Sequence, residues 1–142
     1  MRTIRIGSGA GYSGDRIEPA IELAEKGDIQ YLGFECLAER TIALAQQQKM
    51  KDPATGYDPL LDLRMRAVLA ICKARGIKII TNMGAANPRA AAARTVEIAR
   101  QLGVAGPEQF ATRAGEKTRH IETRFFQRLV QCPVLLKTGI PF

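Results

Sequence analysis

Histidine is nearly absent from this chain of 142 residues: His120 is the only one. The three cysteines, Cys36, Cys72 and Cys132, stand far apart and form no C-x-x-C pair. These two shortages argue against a clustered zinc site. An odd number of isolated cysteines also points to reduced thiols in a cytoplasm rather than to a disulfide framework. Long apolar runs are missing too. The longest, such as residues 67–72, are a handful of positions, against the roughly 20 that a membrane span needs, so no membrane partner is expected. No signal peptide is visible at the N-terminus. The basic residues leave a net charge of +7, yet they are scattered at helical spacing without a basic tract or interleaved aromatics. The excess suggests a small anionic partner and not a nucleic acid.

What is present reads as one α/β domain. The composition is 46% hydrophobic and 25% charged, ordinary for a globular protein. A chain this long buries roughly two-thirds of its unfolded surface without staples. Three strand-to-helix units follow one another. A strand at residues 3–6 leads into a glycine-rich loop. Asp15 and Glu18 there have the spacing of a capping box, with Asp15 as N-cap. Ile17, Ala20, Ile21 and Ala24 then recur at helical spacing, and Gly27 ends the helix. A second strand spans residues 29–34, followed by helices at 37–51 and 60–75 around a turn-rich loop at 52–59. A third strand at 77–81 leads to a helix from Pro88, capped by Asn87, to about residue 102. Alternating strands and helices predict an incomplete Rossmann-like domain, with a mainly parallel sheet flanked by helices. After Gly103 this rhythm stops. Residues 104–142 read as a separate, divergent tail, with a helix at about 107–130 and a weak strand at 133–136.

Parallel sheets bind ligands at the carboxyl ends of their strands. If the strands are neighbours, three loops share that edge. The first carries Gly9, Gly11, Tyr12, Ser13, Gly14, Asp15 and Arg16. Its glycines allow backbone N–H groups to approach an anion. Tyr12 either donates to a ligand or covers the loop. The second carries Glu35 and Cys36. A carboxylate ending a buried strand needs a partner or a task, so Glu35 is the candidate general acid or base. Cys36 has no base nearby in sequence and reads as a packed thiol. The third carries Asn82, Gly84, Asn87 and Arg89. Arg16, Arg40 and Arg89 offer positive charge for a phosphate, a carboxylate or a coenzyme A ester. Three alternatives stay open. Gly9-x-Gly11-x-x-Gly14 with Glu35 downstream is the spacing of an NAD(P)-binding fingerprint, although it starts late after the strand. The glycines alone satisfy a tight turn. Asp15 and Glu35 could share a magnesium ion. No cofactor is assigned.

The motifs taken together resemble a known family. IGSGAGYSGDR at residues 6–16, YLGFECLAER at 31–40, GYDPL at 56–60 and TNMGAANP at 81–88 are similar to the N-terminal domain of the AtuA-like acyclic terpene utilisation proteins. The resemblance covers residues 1–103. It implies a role in the breakdown of acyclic isoprenoids, on acyl-CoA substrates, and it transfers no assigned catalytic residue. The family domain continues as α/β units where residues 104–142 do not, so the chain is expected to be a truncated member. An enzyme or enzyme subunit, a non-catalytic binding or assembly module, and an inactive fragment that self-associates through an open sheet edge all follow from this reading.

Overall fold

A computed structural model describes residues 3–104. The helix and strand expected beyond residue 104, with His120, Phe125, Phe126 and Cys132, lie outside the described residues. Seven elements follow in order: β1 (Ile6–Ala10), α1 (Glu18–Lys26), β2 (Tyr31–Phe34), α2 (Glu39–Lys51), α3 (Leu61–Arg75), β3 (Lys78–Thr81) and α4 (Pro88–Gln101). The strands form a three-stranded sheet in the order β1-β2-β3, both pairings parallel. The chain is an α/β protein, as its pattern of elements predicted.

Side chains alternate across each strand. Leu32 and Phe34 of β2 point into the core, while Ile6 on β1 is 47% exposed. The buried face is covered by α1 and α3, which pack on each other as well, and α4 packs on α3. Ala20 and Ala24 of α1, Met65, Val68 and Cys72 of α3 and Ile98 of α4 complete this core. Each large apolar side chain so buried contributes about 1.5–3 kcal/mol. The helix ends follow their local chemistry. Asn87 caps α4 by accepting from the Ala90 N–H at 3.4 Å, with Pro88 in the first turn. Gly76 ends α3 in the left-handed region at φ 67°.

Two local expectations are corrected. The first strand lies at Ile6–Ala10 and not at residues 3–6, so Gly7 and Gly9 belong to the strand and not to a loop. The cause is close packing on the buried face. A Cβ on Gly7 would collide with Leu23, and one on Gly9 would stand 2.7 Å from the Phe34 ring. Glycine in a strand interior marks such an approach. Asp15 is not the cap of α1 either. The N-cap is Ile17, which has no side-chain cap bond, because the Asp15 carboxylate is turned back into the preceding loop.

Candidate functional site

Ala10, Phe34 and Thr81 are register partners at the carboxyl ends of the three strands. The loops that follow them therefore rise from one edge of the sheet.

The first loop is closed on itself. Asp15 accepts from the Gly11 N–H at 2.8 Å and from the Arg16 N–H at 2.9 Å. These two backbone donors, Gly11 first, hold its carboxyl below the ordinary value. The Asp15 N–H donates to the Tyr12 carbonyl at 3.2 Å. Tyr12 is 62% exposed, and its ring lies across Gly14, where a Cβ would meet it at 2.8 Å. Tyr12 thus covers the loop. Arg16 is exposed.

The second and third loops are joined by Asn82. Its Oδ1 accepts from the Cys36 N–H at 2.8 Å, and its Nδ2 donates to Glu35 Oε1 at 2.6 Å. Glu35 also accepts from the Leu37 N–H at 3.1 Å. The Glu35 side chain is exposed at the end of the buried strand, and Asn82 and the Leu37 N–H are the partners that its position called for. Cys36 is buried, and burial pushes its thiol up to about 11, so it is a protonated, packed group at neutral pH. Gly84 lies against Pro88, which a Cβ would approach to 2.8 Å. Ala85, a non-glycine residue, is held at φ 42°, a conformation that costs about 1–3 kcal/mol and persists where the surroundings enforce it. Asn87 is consumed by structure: besides capping α4, its Nδ2 donates to the carbonyls of Pro53 at 2.8 Å and Thr55 at 2.7 Å. Arg40 and Arg89 are exposed near the starts of α2 and α4.

The residue that sequence reasoning missed is Arg64. It is 0% exposed. Its Nη2 donates to the carbonyls of Ser13 at 2.9 Å, Asp15 at 3.1 Å and Tyr12 at 3.4 Å. Its Nη1 lies 3.5 Å from Asp58 Oδ1 and 3.2 Å from Cys36 Sγ, and 3.8 Å from Met83 Sδ. Among the described residues nothing accepts from its Nε. One guanidinium therefore ties together the first loop, the end of β2, the loop before α3 and the end of β3. The signal was its position, three residues after Leu61 and four before Val68 on the buried stripe of α3. A buried arginine persists only with partners.

Four of the residues that Arg64 contacts, Ser13, Cys36, Asp58 and Met83, also line a cleft of about 110 Å³. Ser13, Cys36 and Asn82, one from each strand end, line it. So do Asp58, Met83 and Ala85, with Leu44 and Tyr57 as apolar walls. Of the expected site residues, Ser13 and Asn82 reach the cleft. The remaining first-loop residues flank Ser13, while Gly9 and Asn87 serve packing and loop anchoring. The lining offers hydroxyl, amide and carboxylate groups for polar recognition. Among the described residues no group of three or more His, Cys, Asp or Glu side chains could hold a metal ion, and no helix is long and apolar enough to cross a membrane.

The family model described as acyclic terpene utilisation family protein AtuA matches residues 4–124. The chain belongs to that family. The match runs past Gly103 into the stretch that the sequence pattern sets apart. No curated protein and no solved structure matches the chain.

Proposed function

We propose that this member of the acyclic terpene utilisation family binds an anionic small molecule, an acyl-CoA of isoprenoid breakdown, at the carboxyl edge of its sheet. The observation that carries the reading is the cleft to which all three strand ends contribute, through Ser13, Cys36 and Asn82. Ligands of open α/β sheets sit at such an edge. In this reading the 11–16 loop is one wall, Asn82 orients the ligand, and exposed Arg16 and Arg89 supply positive charge. Glu35, held by Asn82, is the acid or base if the protein turns its ligand over. The protein works in the cytoplasm, without nucleic acid or membrane, and self-association through a sheet edge is to be read by size exclusion.

Thermal shift and calorimetry against coenzyme A, an acyl-CoA, NAD and NADP test this. Stabilisation by the coenzyme A compounds, weakened by Asn82→Ala, is the expected result. No response to any of them would sink the reading. A second reading, a dinucleotide site, draws on Glu35 at the end of β2. Against it, the Gly11 and Arg16 N–H groups that a diphosphate would use already hold Asp15. Stabilisation by NAD or NADP alone would restore it.

A further inference from the structure

The carbonyls that Arg64 holds determine where their peptide N–H groups point. In a trans peptide, C=O and N–H lie in one plane and point in opposite directions, and the described chain has no cis bond. The Tyr12 carbonyl shares its peptide with the Ser13 N–H, and the Ser13 carbonyl shares its peptide with the Gly14 N–H. Because Arg64 Nη2 draws both carbonyls inward, at 3.4 and 2.9 Å, both N–H groups face outward. Among the described residues nothing accepts from either of them. The next such peptide shows what this orientation does. Arg64 also holds the Asp15 carbonyl at 3.1 Å, and the N–H of that peptide, on Arg16, is met by a carboxylate oxygen at 2.9 Å. The loop thus already carries one oxyanion, the Asp15 side chain, on its Gly11 and Arg16 donors. Successive N–H groups turned to one side form an anion-binding concavity, and here a fully buried cation lies behind it.

We propose that Arg64 is a positioning residue which presents the N–H groups of Ser13 and Gly14 as the donor pair for a ligand oxyanion, a phosphate or a carboxylate. The inference rests on the reading of the carboxyl edge as a ligand site and adds the donors and the residue that orients them. Asp15 fills the flanking pair and fixes the register. The incoming oxyanion is therefore bound by the backbone at Ser13 and Gly14 and not by the earlier glycines of the segment. The Ser13 hydroxyl is dispensable for this contact, because its peptide N–H is the donor.

Amide chemical shifts of the 15N-labelled full chain, titrated with inorganic phosphate, acetate and coenzyme A, test the proposal. Saturable shifts of the Ser13 and Gly14 amides are expected. Phosphate against acetate distinguishes the two oxyanions, and coenzyme A shows whether a tethered phosphate gains affinity. Arg64→Lys keeps the charge but cannot span the three carbonyls, so its binding should weaken about tenfold or more, roughly the loss of one strong hydrogen bond. Saturable shifts elsewhere in the cleft, with Ser13 and Gly14 unmoved, overturn this inference and leave the proposed function standing. Wild-type affinity in a folded Arg64→Lys overturns the positioning role. The absence of saturable shifts with all three probes overturns both. The wild-type titration decides the donor assignment even if Arg64→Lys does not fold.

Discussion

Gly9→Ala separates a glycine that packs from a glycine that binds. An alanine Cβ at position 9 would stand 2.7, 3.0 and 3.1 Å from three carbons of the Phe34 ring. Carbon atoms in good contact are about 3.5–4.0 Å apart, so the ring must retreat by close to an ångström. Phe34 is 3% exposed and part of the main core, which leaves it little space. Overpacking of this kind costs about 1–3 kcal/mol. Alanine regains about 0.5–1 kcal/mol of backbone entropy over glycine, so the net change is destabilising by roughly 1–2 kcal/mol. With a urea dependence of about 1–3 kcal/mol per molar for a small protein, the unfolding midpoint should fall by about 0.3–2 M. Phe34→Leu alone leaves a cavity and also destabilises. In the double variant the smaller side chain makes room for the new methyl, and the two losses should add to less than their sum by about 0.5 kcal/mol or more. Ligand affinity of folded Gly9→Ala should equal that of wild type. Unchanged stability with lost anion binding would refute the strand assignment of Gly9 and return it to the binding loop. Strictly additive losses would refute the contact with Phe34.

Three further outcomes follow from the joined loops. Asn82→Asp places a carboxylate where an amide now donates to Glu35 at 2.6 Å; near a protein surface this repulsion and the lost bond cost about 1–2 kcal/mol at neutral pH. The penalty should shrink as the pH is lowered and one carboxyl is protonated, which chemical denaturation at several pH values will show. Asp15 is held below its ordinary value of 3.8 by the Gly11 and Arg16 N–H groups. Its contribution is therefore complete above that value and is lost as the pH falls through the lower folded one. The Gly11 amide resonance should titrate with a midpoint below 3.8, and Asp15→Asn should abolish the transition. Burial pushes the Cys36 and Cys72 thiols up to about 11, so at pH 8 only about a thousandth of either is thiolate. Peptide mapping after brief alkylation should find both unmodified in the native protein and modified in urea; rapid native labelling of Cys36 would contradict its burial.

Periodicity and turn chemistry act within one segment, and elements governed by them were legible. The apolar stripe of α1 and the Asn87-Pro88 start of α4 were both read from neighbouring residues. The start of β1 was not. Gly7 and Gly9 have the composition of a loop, and only the Leu23 and Phe34 side chains packed against them make them strand. Those partners are contributed by α1 and β2, so no local window contains the reason. The same holds for Asp15. The spacing to Glu18 suits a cap, but the Gly11 N–H, four residues earlier, is the better-placed donor and draws the carboxylate away from the helix.

At the site, three loops on one edge were expected on the condition that the strands are neighbours, and the order β1-β2-β3 meets that condition. What joins these loops was less legible. Asn82 was identified as a site residue, while its bonds to Cys36 and Glu35 span 46 and 47 positions. Arg64 shows the limit in its sharpest form. Its carbonyl partners lie 49 to 52 residues away, and backbone carbonyls carry no sequence signature at all. Yet a charge placed between Leu61 and Val68 on an otherwise apolar stripe is a conflict between local pattern and burial. A cation in that position either disrupts the core or finds acceptors that cannot turn elsewhere. The Tyr12, Ser13 and Asp15 carbonyls of the loop after β1 are such acceptors. The loop after β1 and the buried arginine thus explain each other: the loop supplies three carbonyls to a guanidinium that could not be buried without them, and Arg64 in turn fixes the loop that presents them.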